Sequence, residues 1–245
     1  MSKPNYKKFT FNNKFDYLVY LRYLIIQSHK FMKRHAIYTV SLQREIEELG
    51  LFEQPDQLVD TFVYEEHNDR IQFVSSKLLN LYGDLQGDSL SYYKFRKTLV
   101  KRNIEVREIL GTLPKEMLEL LSSINQSRNW ALHMPESLLN SHNVHVKKSW
   151  SEAERILYLS KFTPINIPYF EKYEGVWLLS LYNESCSCQE DYEKIYNQMI
   201  SDYEALIEND LEINEEIYEV RNFKEDSVIP KTSFEMQQRK YSEQK

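Results

Sequence analysis

Arg128-Asn129-Trp130-Ala131-Leu132-His133 sets a permanent cation, a carboxamide and a titratable imidazole close together in the chain. Cleavage of a phosphodiester without a metal needs these groups. An imidazole takes or gives a proton near neutral pH, and a fixed positive charge stabilises the crowded phosphorus of the transition state. The spacing is not selective by itself. Arg22 and His29 also place a His a short distance after an Arg. They lie two turns apart on one face of a predicted, nearly apolar helix, and they read as a structural pair. Context therefore decides which pair could act.

The element that must position Arg128 has the clearest periodicity in the chain. Thr112-Leu113-Pro114 opens a helix, with proline tolerated in the first turn, and Leu113, Met117, Leu120, Leu121 and Ile124 form one apolar stripe. At 100° per residue Arg128 falls close to that stripe, and His133 falls about 140° away from it. The two groups share a site only if the helix ends between them or a second copy contributes. Pro135 disfavours helical geometry at Met134 and predicts a break just after His133. His142 and His145 follow and read as loop histidines rather than metal ligands. No metal or cofactor is expected.

Other elements follow from the same periodicities. Helices are predicted over 15–33, 41–50, 76–82, 151–162, 171–182 and 189–209, with a Pro-bearing loop at 163–168. Asp88 or Ser89 caps a long helix ending at Gly111, whose apolar positions are Tyr92, Phe95, Leu99, Val106 and Ile109. Lys94, Arg96, Lys97, Lys101, Arg102 and Arg107 occupy its other faces. Apolar and polar residues alternate over 61–66 and 70–74, which suggests a small β-hairpin near 61–74. The expected fold is an all-α helical bundle with that hairpin. It divides into an N-terminal helical region (1–87), a helical domain (88–225) and a polar, disordered tail (226–245).

Composition narrows the function classes. Five Gly and seven Pro favour long regular elements, and neither GxxxxGK[ST] nor GxGxxG occurs, against P-loop and Rossmann chemistry. Cys186 and Cys188, the two cysteines, are too close for an unstrained disulfide and too few to close a zinc site. They read as reduced thiols of a cytoplasmic protein. The first ten residues lack the apolar run of a signal peptide, and the most apolar run, 17–26, contains Arg22 and is too short to span a bilayer. The net charge of −6 conceals an asymmetry. Residues 1–40 hold eight Lys/Arg against Asp16 alone, whereas residues 184–226 hold fourteen acids against three bases. The basic portion is able to meet a phosphate backbone, although solvated helix faces of opposite sign explain the pattern equally well.

The stretch from Leu120 to His133, an apolar helix ending in Arg-Asn-x3-His, resembles the signature of the HEPN superfamily (higher eukaryotes and prokaryotes nucleotide-binding domains). Asn129 is the polar residue most typical of that family after the Arg, and Met134 departs from the small residue many members carry after the His. The resemblance implies a helical bundle acting as a metal-independent endoribonuclease of the toxin or phage-defence type. Such proteins usually work as homodimers with two motifs facing each other; an antitoxin or regulatory protein is a candidate further partner. In that scheme His133 transfers a proton to or from RNA, Arg128 holds the non-bridging oxygens, and Asn129 orients the Arg or the phosphate. Lys94, Lys97, Lys101 and Arg102 would track the RNA, or simply form a solvated face. The alternative is a catalytically inactive helical protein that binds a partner or a nucleotide.

Overall fold

The computed structural model describes residues 9–87, 89–132, 139–140, 143–144, 148–158 and 169–217. The expectations for His133, His142, His145, the 163–168 loop and the 226–245 tail lie outside the described residues.

The chain opens on a 35-residue helix, α1 (Lys14–Glu48). The Asp16 carboxylate caps it, accepting the backbone N–H groups of Asn12 (2.7 Å) and Asn13 (3.2 Å). No Gly or Pro interrupts it, so the two helices expected at 15–33 and 41–50 are one. It stops at Gly50, whose φ of 66° lets Leu51 N–H return to the Ile46 carbonyl (3.0 Å) and Gly50 N–H to that of Glu47 (3.1 Å).

Strand β1 (Leu58–Asp60) leads directly into α2 (Thr61–Gly83). The Asp60 carboxylate accepts Phe62 N–H (2.9 Å) and starts the helix. The hairpin expected near 61–74 is therefore corrected to helix. Alternation over six residues misled there; the longer series His67, Ile71, Val74, Leu78 and Tyr82, all buried, has the helical period. A two-stranded antiparallel sheet does exist, but it pairs β1 with β2 (Lys172–Glu174), with Val59 opposite Tyr173.

The long helix expected up to Gly111 is also interrupted. Ser91, rather than Ser89, caps it through its hydroxyl, which accepts Lys94 N–H (3.2 Å); Asp88 lies outside the described residues. A short turn, α3 (Tyr92–Lys94), widens into a π turn over Phe95–Leu99 and tightens to a 3-10 turn over Val100–Arg102. Asn103 is extended, and its side chain accepts Val106 N–H (3.1 Å) to restart the chain as α4 (Ile104–Leu110). Helix α5 (Lys115–Leu132) follows, and further along the described residues lie α6 (Glu152–Tyr158) and, last among them, α7 (Val176–Ile207). The last of these joins the expected 171–182 and 189–209 helices, except that 172–174 is strand.

Helix α1 packs along α2 and α7, and α2 packs against α5. The main core draws Tyr17, Leu21 and Leu24 from α1, Leu78 and Tyr82 from α2, Phe95, Leu121 from α5, and Ile195 and Met199 from α7. Residues on both sides of position 87 share it. A second cluster at the other end of the three long helices includes Leu42, Ile46, Leu51, Val59, Ile71 and Leu178. The described residues are thus an all-α bundle with one small sheet, and among them no helix is long and apolar enough to cross a membrane.

Candidate active site

Helix α2 ends where α5 crosses it, and Gly83 makes the crossing possible. A Cβ at that position would stand 2.9 Å from the Asn125 backbone nitrogen and 2.9 Å from Ile124 Cγ2. Such contacts are too short for any side chain, so a glycine is required for the helices to approach this closely. One turn along α5, Arg128 continues the apolar stripe of Leu121 and Ile124, as helical phase predicts, and is 7% exposed.

Burying a guanidinium demands partners, and Arg128 has three. Its Nε donates to Asn80 Oδ1 (3.0 Å), its NH1 to Asn129 Oδ1 (3.1 Å) and its NH2 to Asp84 Oδ2 (3.0 Å). Three of the five N–H bonds of the group are used in this way. The contact with Asp84 is an ion pair between two largely buried side chains.

Asp84 is itself fixed by the loop that follows α2. Its Oδ1 accepts Gln86 N–H (2.9 Å), and its backbone carbonyl accepts the hydroxyls of Ser89 (3.1 Å) and Ser91. Ser91 N–H in turn donates to the Tyr20 hydroxyl (3.0 Å), which donates to the Ser91 carbonyl (3.3 Å). Burial, with the Asp84 carboxylate nearby, pushes the Tyr20 hydroxyl up to about 12, so it stays protonated and keeps donating. The Arg128 guanidinium is thereby tied through Asp84 to the loop and to α1.

The other expected site residues separate. Asn129 is beside Arg128, and its Oδ1 accepts from the guanidinium. Lys94 is occupied, its ammonium donating to the carbonyls of Gly87 (2.5 Å) and Ser89 (2.8 Å), so it ties down the loop. Lys97 lies over the Tyr93 ring, 4.8 Å from its centroid, and remains exposed, as do Lys101 and Arg102. Arg96 is the exception to the exposed basic face. It is buried, with Nε 3.4 Å from Asp202 Oδ2 and NH2 donating to the Leu110 carbonyl (3.2 Å). Tyr92 and Gln198 also donate to Asp202, at 2.8 and 3.2 Å. Burial pushes the Asp202 carboxyl up, against the opposing pull of Arg96 and these donors. This group holds the π turn to α7.

Arg22 and His29 are not a local pair: His29 turns to the other end of the chain. Its Nδ1 is 3.0 Å from the Tyr196 hydroxyl and its Nε2 is 2.8 Å from Glu215 Oε1. Cys186 and Cys188 are free thiols on α7. Among the described residues no group of three or more His, Cys, Asp or Glu could hold a metal ion.

Asp84 and Asn80 are the partners that the sequence did not reveal. They precede Arg128 by 44 and 48 positions, and nothing local marks them. Comparison with known proteins finds no family model, no curated protein and no solved structure that matches this chain.

Proposed function

We propose that this chain is a HEPN-like, metal-independent endoribonuclease of the toxin or phage-defence type. The observation that carries the proposal is the oriented guanidinium of Arg128, five positions before His133 in an Arg-Asn-x3-His motif. Asp84, Asn80 and Asn129 fix that guanidinium, and its two remaining N–H bonds suit the non-bridging oxygens of a phosphate. His133 would take the proton of a ribose 2′-hydroxyl, which then attacks phosphorus, and a second proton transfer would release the 5′-oxygen. The products are a 2′,3′-cyclic phosphate and a 5′-hydroxyl. Two copies related by a two-fold axis past the end of α5 would put both motifs in one cleft, since an isologous interface pairs a patch with itself. Lys97, Lys101 and Arg102 supply exposed charge for the RNA backbone.

One observation favours a second reading, that of a catalytically inactive helical protein. A guanidinium only 7% exposed and paired with a carboxylate is well suited to fastening α5 to α2. Incubating the purified protein with total RNA in EDTA, beside His133→Ala, separates the two. Cleavage by the parent that is lost in the variant supports the nuclease. Intact RNA from a folded, dimeric parent supports the inactive protein.

A further inference from the structure

Beyond Ile207 the chain turns at Glu208, whose φ of 57° is left-handed, and returns without regular structure over 211–217 along α1. Between this returning segment, α1 and α7 lies a cavity of about 760 Å³. Arg22, Lys30 and Lys33 line it from α1, and Glu212, Glu215 and Glu216 line it from the returning segment. Ile25 and Tyr196 contribute to its apolar part.

The two walls carry equal and opposite charge. Glu215 reaches both His29 Nε2 and Lys33 Nζ. Those contacts hold its carboxyl below the usual carboxylate range, Lys33 first and His29 second. Arg22 and Lys30 form no ion pair among the described residues. Leu211 anchors the segment on the main core and its N–H donates to Glu204 (3.1 Å), whereas Ile213 is 40% exposed and Ile217 is 92% exposed. Exposed ion pairs contribute little and weaken with salt. Past its anchor at Leu211, the acidic segment is thus a solvent-exposed occupant of a cationic groove.

We infer that the α1 groove lined by Arg22, His29, Lys30 and Lys33 is a binding surface for single-stranded RNA, occupied in cis by the acidic 211–217 segment. RNA as the ligand rests on the nuclease reading above; the cationic groove and its acidic occupant do not. Arg22 and Lys33 are eleven residues apart on one helix, roughly 16 Å, enough to follow a few consecutive phosphates. Tyr23, beside Arg22 and 51% exposed, and Ile26, 42% exposed, supply apolar surface on the same flank for unstacked bases. The Glu215 carboxylate stands where a phosphate would compete for the cations, with Glu212 and Glu216 on the same wall. Displacing or neutralising them uncovers a charge of three.

The test measures binding of a short, single-stranded 2′-O-methyl RNA, which resists cleavage and so does not depend on His133. Glu212→Gln, Glu215→Gln and Glu216→Gln together should tighten binding about tenfold at low ionic strength, from three phosphate contacts. The same charge change at the far end of α1, Glu48→Gln, Glu53→Gln and Asp56→Asn, should give much less. Adding Arg22→Ala, Lys30→Ala and Lys33→Ala to the first variant should abolish the gain and reduce the logarithmic salt slope by about two. Equal gains from both neutralised sets, no gain, or a gain that survives the alanine changes would each overturn the inference. Cleavage of total RNA is a separate readout, so either proposal can fail alone.

Discussion

The NH2 group of Arg128 lies 3.0 Å from Oδ2 of Asp84, a contact between two buried side chains 44 positions apart. The residue with the strongest claim to chemistry is thus also a fastener between α5 and the end of α2. Removing one partner of a buried pair leaves the other charge without compensation, whereas removing both can be nearly neutral. Asp84→Ala should accordingly destabilise the protein by about 3–5 kcal/mol. Asp84→Leu combined with Arg128→Met should cost much less than the two single changes added. Denaturant titration of the four proteins measures the coupling, and additive losses would show that the pair is not a unit.

Helix crossing at Gly83 gives a sharper steric expectation. A methyl group there meets the Asn125 backbone rather than a flexible side-chain end. Gly83→Ala should cost about 1–3 kcal/mol through overpacking, despite the better helix propensity of alanine. It should also loosen the Arg128 contacts next to the crossing. A rise in melting temperature would contradict the close approach of α2 and α5.

Stability should fall on mild acidification. Burial pushes the His35 imidazole below its ordinary 6.5, against the opposing hydrogen bond with Gln189. Burial likewise lowers His67, with Glu45 opposing. Both groups therefore prefer the neutral form in the folded state. Below about 6.5 the unfolded chain takes up protons that the folded chain resists, so stability present above that pH is lost as the pH falls toward the folded values. Melting temperature measured from about pH 7.5 to 5.5 should decline, and His35→Gln should shallow the decline. A flat or rising profile would contradict the burial of these imidazoles.

The exposed cations of the π and 3-10 turns make a separable prediction. Lys97→Gln, Lys101→Gln and Arg102→Gln together should weaken RNA binding across sequences and flatten its salt dependence, while leaving melting behaviour nearly unchanged. Lys94→Gln should behave differently. Its ammonium holds the carbonyls of Gly87 and Ser89, so its loss should appear in stability first. An equal effect of Lys94 and Lys97 on binding alone would place both on the same RNA track.

The long periodic segments were legible in the sequence. The stripe from Leu113 to Ile124 identified α5, and carrying its phase forward put Arg128 on the buried side. Short-range patterns were less dependable. Alternation over 61–66 imitated a strand, although the buried series from His67 to Tyr82 runs through a helix. The three-residue strands at 58–60 and 172–174 are too short to leave a pattern and depend on pairing across the fold. Arg96 looked like one more solvated cation among Lys94, Lys97 and Lys101. Only the tertiary position of Asp202 explains its burial. Asp84 escaped for the same reason: a buried carboxylate partner is set by how helices cross, which local sequence does not encode.

The most direct measurement uses one synthetic RNA oligonucleotide and its all-2′-deoxy counterpart, each incubated with the purified protein in EDTA. The account predicts that only the RNA is cut, leaving 2′,3′-cyclic phosphate and 5′-hydroxyl ends, and that His133→Ala, folded as the parent is, leaves it whole. Cleavage of the deoxy strand, dependence on an added metal, or undiminished cutting by His133→Ala would contradict it.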